Sequence, residues 1–151
     1  MIRVLVAESH PTLRAAMRFM IDTEMDMRVV SEARAGTEAL IGAAEYQPDV
    51  AVIDLGVSLL GGADVARAMR RDAPDTAVLC IGDQRDPACA RSVLRAGARG
   101  YLSRVGEVSE LVRAVRAVNA GCTYVNLMQS RNSLARILLR PLAQSAPLND
   151  R

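Results

Sequence analysis

Two acidic residues stand where chemistry is possible. Glu8 follows the apolar run of residues 4–7, and Asp54 follows the apolar run of residues 50–53. A carboxylate at the carboxyl end of a buried strand is costly to desolvate unless a turn, a cation or a reaction uses it. Two such ends side by side make an anionic crevice suited to a hard cation such as Mg²⁺, held with several waters. An aspartate there can also act as a nucleophile toward a phosphoryl group. A third apolar run, residues 77–81, ends in Gly82, which brings no side chain. Solvated loop residues explain the two carboxylates equally well, and helix capping explains Ser9. His10 precedes a helix-opening proline, which suits a structural position better than a metal ligand.

The elements that must position these residues alternate regularly. Short β-branched runs at residues 2–7, 27–31, 50–54, 77–81 and 100–102 predict strands. The third and fourth are almost wholly apolar, as expected of central strands covered on both faces. Helix-length segments fill the gaps. The first opens at Pro11 and carries an inner stripe of Leu13, Met17, Met20 and Ile21. Further helices are predicted over 37–46, 62–71 and 86–96, the last stopped by Gly97. A fifth has Val108, Leu111, Val112, Val115 and Val118 on one side and ends at Gly121. Glu107 and Glu110 in its first turn, with Arg113 and Arg116 further along, suit the helix dipole. Met17, Met20, Met25 and Met27 read as core filler.

Five strand–helix units in succession predict an α/β domain with a five-stranded, doubly wound parallel sheet. Ligands of such sheets bind beyond the carboxyl ends of the strands, where the strand order reverses. Glu8 and Asp54 are therefore expected to converge.

Composition limits the function classes. A chain of 151 residues suits one compact domain with an appendage, and buries about 68–70% of its unfolded surface without staples. No apolar run approaches the ~18 residues of a membrane span, and Met1-Ile2-Arg3 does not resemble a signal peptide. A soluble, cytoplasmic protein is expected. Cys80, Cys89 and Cys122 are widely spaced and suggest neither a zinc site nor a disulfide framework. The net charge of +2 is too small to imply nucleic-acid binding. Arg113, Arg116, Arg131, Arg136 and Arg140 fall in a stretch without acidic residues, but only Tyr124 interleaves with them. A solvated helix face explains them better than a DNA-binding stripe. The chain contains no lysine.

The order of "IRVLVAESHPTLR", "QPDVAVIDLG", "PDTAVLCIG" and "LRAGARGYLSR" resembles the receiver domain of bacterial two-component response regulators. "HPTLR" and "RAGARGYL" look most like the NarL/FixJ branch, which joins a receiver to a LuxR-type helix-turn-helix. The resemblance covers residues 1 to about 121 and implies a signalling module, not an enzyme. It implies that Asp54 is the phosphoacceptor-equivalent residue and Glu8 the first member of the acidic pair that holds Mg²⁺. Gly56 is implied to supply a third metal ligand through its carbonyl, and Tyr101 to be the aromatic switch residue.

Several positions depart from that pattern. Ser9 replaces the second acidic residue, Gly82 the phosphate-binding Thr or Ser, and Arg104 the neutralising lysine. Gly61 and Ser58 replace the aspartate and proline usual in the loop after the acceptor. One carboxylate fewer weakens Mg²⁺ binding, and Gly82 offers no hydroxyl to link a phosphoryl group with Tyr101. A phosphoryl group would add about −1.5 to −2 charges beside Glu8. The guanidinium of Arg104 is no conservative replacement. It is expected to pair instead with Asp54 or Asp83 in the unliganded state.

After Gly121 an apolar stripe of Leu127, Leu134, Ile137 and Leu138 predicts an extra C-terminal helix closed by Pro141. Residues 122–151 are thus expected to be a linker helix and linker, with "LNDR" at 148–151 resembling the start of a LuxR-type DNA-binding domain. The resulting expectation is an atypical receiver with a degenerate pocket, acting as a homodimer without ordinary phosphorylation. Its DNA contacts would lie in a domain outside residues 1–151, and a histidine kinase or small-molecule ligand remains an expected input. Two alternatives stand beside it: a conventional regulator phosphorylated on Asp54, and a free-standing interaction module. A haloacid-dehalogenase-type hydrolase would need an acid two residues after Asp54, where Gly56 stands.

Overall fold

The computed structural model describes residues 1–57, 62–83, 87–103 and 108–127. Six strands form one sheet: β1 (Ile2–Ala7), β2 (Met27–Ala33), β3 (Val50–Asp54), β4 (Ala77–Gly82), β5 (Gly100–Ser103) and β6 (Tyr124–Asn126). Their order is β2-β1-β3-β4-β5-β6, and every pairing is parallel. Five α-helices connect them: α1 (Pro11–Thr23), α2 (Gly36–Tyr46), α3 (Gly62–Asp72), α4 (Pro87–Ala96) and α5 (Val108–Asn119).

Alternation along the strands divides the core into two layers. Leu5, Ala7, Ala51, Ile53, Val78, Cys80 and Tyr101 face one way. They meet α2, α3 and α4 through small side chains such as Ala39, Ala43, Ala66, Ala90 and Ala96. Val4, Val6, Val50, Val52, Leu79, Ile81 and Leu102 face the other way. Their partners are Met17 and Ile21 of α1 and Leu111, Val115 and Val118 of α5. The strand order reverses between β1 and β3, so the crevice predicted from the sequence falls at their carboxyl ends.

Three expectations change. The sheet has six strands, because the segment after α5 returns along β5 as β6. The Tyr124 amide donates to the Arg99 carbonyl at 3.0 Å, and Leu127 at the end of this strand is buried in the α2–α4 layer. A three-residue strand carries too weak an alternation to be read from sequence. Leu134, Ile137 and Leu138 of the expected C-terminal helix lie outside the described residues. Met25 is not core: it sits in the turn before β2 and is 94% exposed. The cap of α1 is His10, whose Nδ1 accepts from the Leu13 amide at 3.4 Å, so Ser9 does not serve that role. Gly97 does stop α4, with a φ of +121° that only glycine adopts at little cost. No helix among the described residues is long and apolar enough to cross a membrane.

Candidate functional site

At one half of the carboxyl edge, β1 and β3 run in register with Ala7 opposite Ile53. The next residues, Glu8 and Asp54, therefore lie on neighbouring strand ends, and both are buried. Each spends one oxygen on the backbone amide two residues further on. The His10 amide donates to Glu8 Oε2 at 3.0 Å, and the Gly56 amide donates to Asp54 Oδ1 at 2.8 Å. These local bonds hold the carboxylates at the mouths of their turns. Arg14 of α1 secures the first turn, donating from Nη1 to the Glu8 carbonyl at 2.8 Å and from Nε to Glu32 at 3.2 Å. Ser9 is exposed.

The same edge bounds what a cation would find. No cluster of three or more His, Cys, Asp or Glu side chains suited to a metal occurs among the described residues. Two carboxylates fit a hydrated Mg²⁺ that keeps much of its water shell, not a dedicated protein cage.

The other half of the edge is built differently. Asp54 is in register with Ile81, and Gly82 with Ser103, so β4 and β5 continue the crevice away from the carboxylates. Tyr101 is wholly buried in the α2–α4 layer. A Cβ placed on Gly82 would stand 2.7 Å from the Tyr101 hydroxyl oxygen, 3.2 Å from its Cε1 and 3.3 Å from Leu55 Cδ1. The space above Gly82 is thus filled by Tyr101 and by the first residue after Asp54. Burial pushes the Tyr101 phenol up from 10.0, and the Cys89 thiol beside it adds to the shift. Cys80, opposite it on β4, is likewise pushed up by burial, to about 12.

The structure brings together Glu8, Asp54 and the turn at Gly56, and separately Gly82 with Tyr101. Asp83 is exposed just beyond β4. Arg104, Ser58 and Gly61 lie outside the described residues, so the expected pairing of Arg104 with Asp54 or Asp83 does too. Reasoning from the sequence passed over Arg14, Leu55 and the buried Ser103, and gave Cys89 no place beside Tyr101. Leu55 had a signal in its position directly after Asp54, and Ser103 in its place at the end of β5.

A family model described as the response regulator receiver domain matches residues 4–116. Response regulator GacA of Pseudomonas viridiflava is 32% identical over 149 residues, which span 99% of this chain and 69% of that protein. Among solved structures, a LuxR-family two-component response regulator from Aurantimonas sp. SI85-9A1 superposes with a TM-score of 0.82 at 28% identity, covering 90% of this chain and 96% of the other. The signal receiver domain of NarL from Mycobacterium tuberculosis gives a TM-score of 0.75 at 33% identity, over 80% of this chain and 97% of its own.

Proposed function

This chain belongs to the response regulator receiver family, and from that premise we propose that it is an atypical receiver whose output is not set by ordinary phosphotransfer to Asp54. It is a signalling module of two-component systems rather than an enzyme. The observation that carries the proposal is the asymmetry of the crevice. Its acceptor half keeps Glu8 and Asp54, while in the other half residue 82 brings no hydroxyl and its space is already filled by Tyr101.

The chemistry follows from those residues. Asp54 can be approached by a phosphoryl group, but the product would carry about −1.5 to −2 charges next to Glu8. Mg²⁺ bound by Glu8, Asp54 and the Gly56 carbonyl would neutralise part of that charge. With Ser9 in place of a second acid, that binding is weak. Gly82 has no side-chain hydroxyl to donate to a phosphoryl oxygen, so the modified state gains little over the unmodified one. On this reading the fixed positive charge would come from Arg104, through the pairing with Asp54 or Asp83 expected from the sequence.

The first test is incubation with acetyl phosphate and Mg²⁺ followed by intact mass measurement. Little phosphoprotein is expected. Extensive conversion, abolished in Asp54→Asn, would instead establish a conventional regulator phosphorylated on Asp54. That second reading has one observation in its favour, the buried Glu8 and Asp54 on adjacent strand ends.

The wider reading follows the relatives. Residues 1–121, with β6 completing the sheet, act as the receiver, and the rest of the stretch to residue 151 would link it to a helix-turn-helix domain that carries the DNA contacts. Two half-sites on DNA call for a pair of such domains, so the receiver works as a homodimer in the cytoplasm without needing phosphorylation. Sedimentation equilibrium of the full 151-residue chain checks this: a concentration-dependent dimer is expected, and a strict monomer at high micromolar concentration contradicts it. In that event a small-molecule ligand or a kinase becomes the input.

A further inference from the structure

We infer that Gly82 is the seat that keeps Tyr101 inside the domain whether or not Asp54 carries a phosphoryl group, so that the β5–α4 surface has a single resting form. The inference deepens the reading of the chain as an atypical receiver and rests on it for its regulatory meaning. Its structural content stands on the packing alone.

Three observations carry it. Tyr101 has no solvent exposure, although it lies on β5 near the carboxyl end of the sheet. Its hydroxyl oxygen occupies a position 2.7 Å from where any side chain at residue 82 would begin. A separation below 3.0 Å is one that real Cβ atoms essentially never show, so even alanine requires a shift. The third observation is the neighbourhood. The intruding Cβ would also press on Leu55 Cδ1 at 3.3 Å, and Leu55 opens the 3₁₀ turn, Leu55–Val57, that follows Asp54. One absent side chain therefore leaves room for the ring of Tyr101 and for the turn behind Asp54 together.

Physical consequences follow for the unmodified chain. Close-packed interiors are bistable and do not deform continuously, so a side chain at residue 82 moves either the ring or the Leu55 turn. The ring is the group expected to move, because it meets the added carbon at 2.7 Å and Leu55 only at 3.3 Å. With glycine in place, no such pressure exists, and burial of a large aromatic side chain favours the inward position. An outward form would be at most a minor state.

The test reads the accessibility of the phenol. N-acetylimidazole acetylates exposed tyrosine hydroxyls, and the chain has no lysine to compete. Peptide mass spectrometry resolves Tyr46, Tyr101 and Tyr124 as separate sites. An outward state populated below about 10% makes Tyr101 at least about tenfold slower than half-exposed Tyr46. That protection is expected to be equal before and after treatment with acetyl phosphate and Mg²⁺. In Gly82→Thr the Tyr101 rate is expected to approach that of Tyr46. Rapid acetylation of Tyr101 in the unmodified wild-type protein overturns the inference, and so does continued protection in folded Gly82→Thr.

If Gly82→Thr does not fold, Gly82→Ala is compared in the wild-type and Tyr101→Phe backgrounds. Gly82→Ala should lower the urea midpoint, and removing the hydroxyl should recover at least about half of the loss. Equal losses in both backgrounds overturn the steric seat. The intact mass of the same acetyl phosphate samples separates the two claims. Ready phosphorylation with Tyr101 still protected refutes the phosphorylation-independent reading and leaves the seat standing. No phosphorylation with Tyr101 reactive does the reverse.

Discussion

The two halves of the sheet's carboxyl edge solve different problems. At β1 and β3 the strand ends carry Glu8 and Asp54, each held by a backbone amide from its own turn. At β4 and β5 the corresponding positions are Gly82 and Ser103, and the space between strand and helix is filled by Tyr101. The first half is organised by charge and local hydrogen bonds, the second by packing. A buried aspartate is thus kept at one strand end while the neighbouring strand end is closed by a buried tyrosine. Charge at a strand end tolerates this separation, because its supports are local. Packing does not, because one added carbon at Gly82 reaches Tyr101 and Leu55 at once.

The largest expected effect lies in the packed half. Tyr101→Ala removes the largest wholly buried side chain and should cost about 3–5 kcal/mol in urea denaturation. A loss below about 1 kcal/mol would show that this half relaxes easily, and the contrast would fail.

Next comes Tyr124→Phe. The Tyr124 hydroxyl donates to the buried Glu110 carboxylate, which Arg113 also pairs. A hydrogen bond to a charged group is worth about 1.5–3 kcal/mol, and β6 should lose that anchorage to α5. Hydrogen exchange should then quicken at the β5–β6 pairing and leave β1 and β3 unchanged.

A third variant probes the opposite edge as a control. Arg116 bonds Asp26 at 2.8 Å and Glu24 at 2.5 Å, tying α5 to the turn after α1. The Arg116 hydrogen bond holds the Asp26 carboxyl below its ordinary 3.8. A lowered pKa contributes stability that is present above pH 3.8 and lost as pH falls through the folded-state value. Arg116→Gln should therefore lower Tm modestly at neutral pH, with the difference shrinking on acidification below that value. It should leave acetylation of Tyr101 unchanged.

The smallest effect is expected in the charged half. Asp54→Asn keeps an oxygen that can accept from the Gly56 amide, so stability should change by less than about 1 kcal/mol. A large loss would mean that Asp54 is structural and would weaken the division drawn above.

Much of this was legible in the sequence, for reasons that particular residues show. The apolar runs ending at Glu8 and Asp54, with helix-length segments between, required a parallel sheet and placed the two acids at one crevice. Pro11 and Gly97 marked helix ends through backbone preferences that act locally. The seat at Gly82 was not legible. A glycine reads as a missing hydroxyl, and only the three-dimensional packing reveals that Tyr101 stands in its place. Strand β6 escaped because three residues give too little alternation. Met25 escaped because apolar character alone does not say which residues of a turn face inward.

The most direct test of the division is a ¹⁵N–¹H spectrum of the chain with and without beryllofluoride and Mg²⁺, a stable mimic of the phosphorylated carboxylate. If charge and packing are uncoupled here, any shifts stay around Glu8, Asp54 and Gly56, and the amides of Gly100–Ser103 and α4 keep their positions. Large shifts spreading through Tyr101 into α4 would show that the halves still communicate, and the account of a phosphorylation-independent receiver would be contradicted.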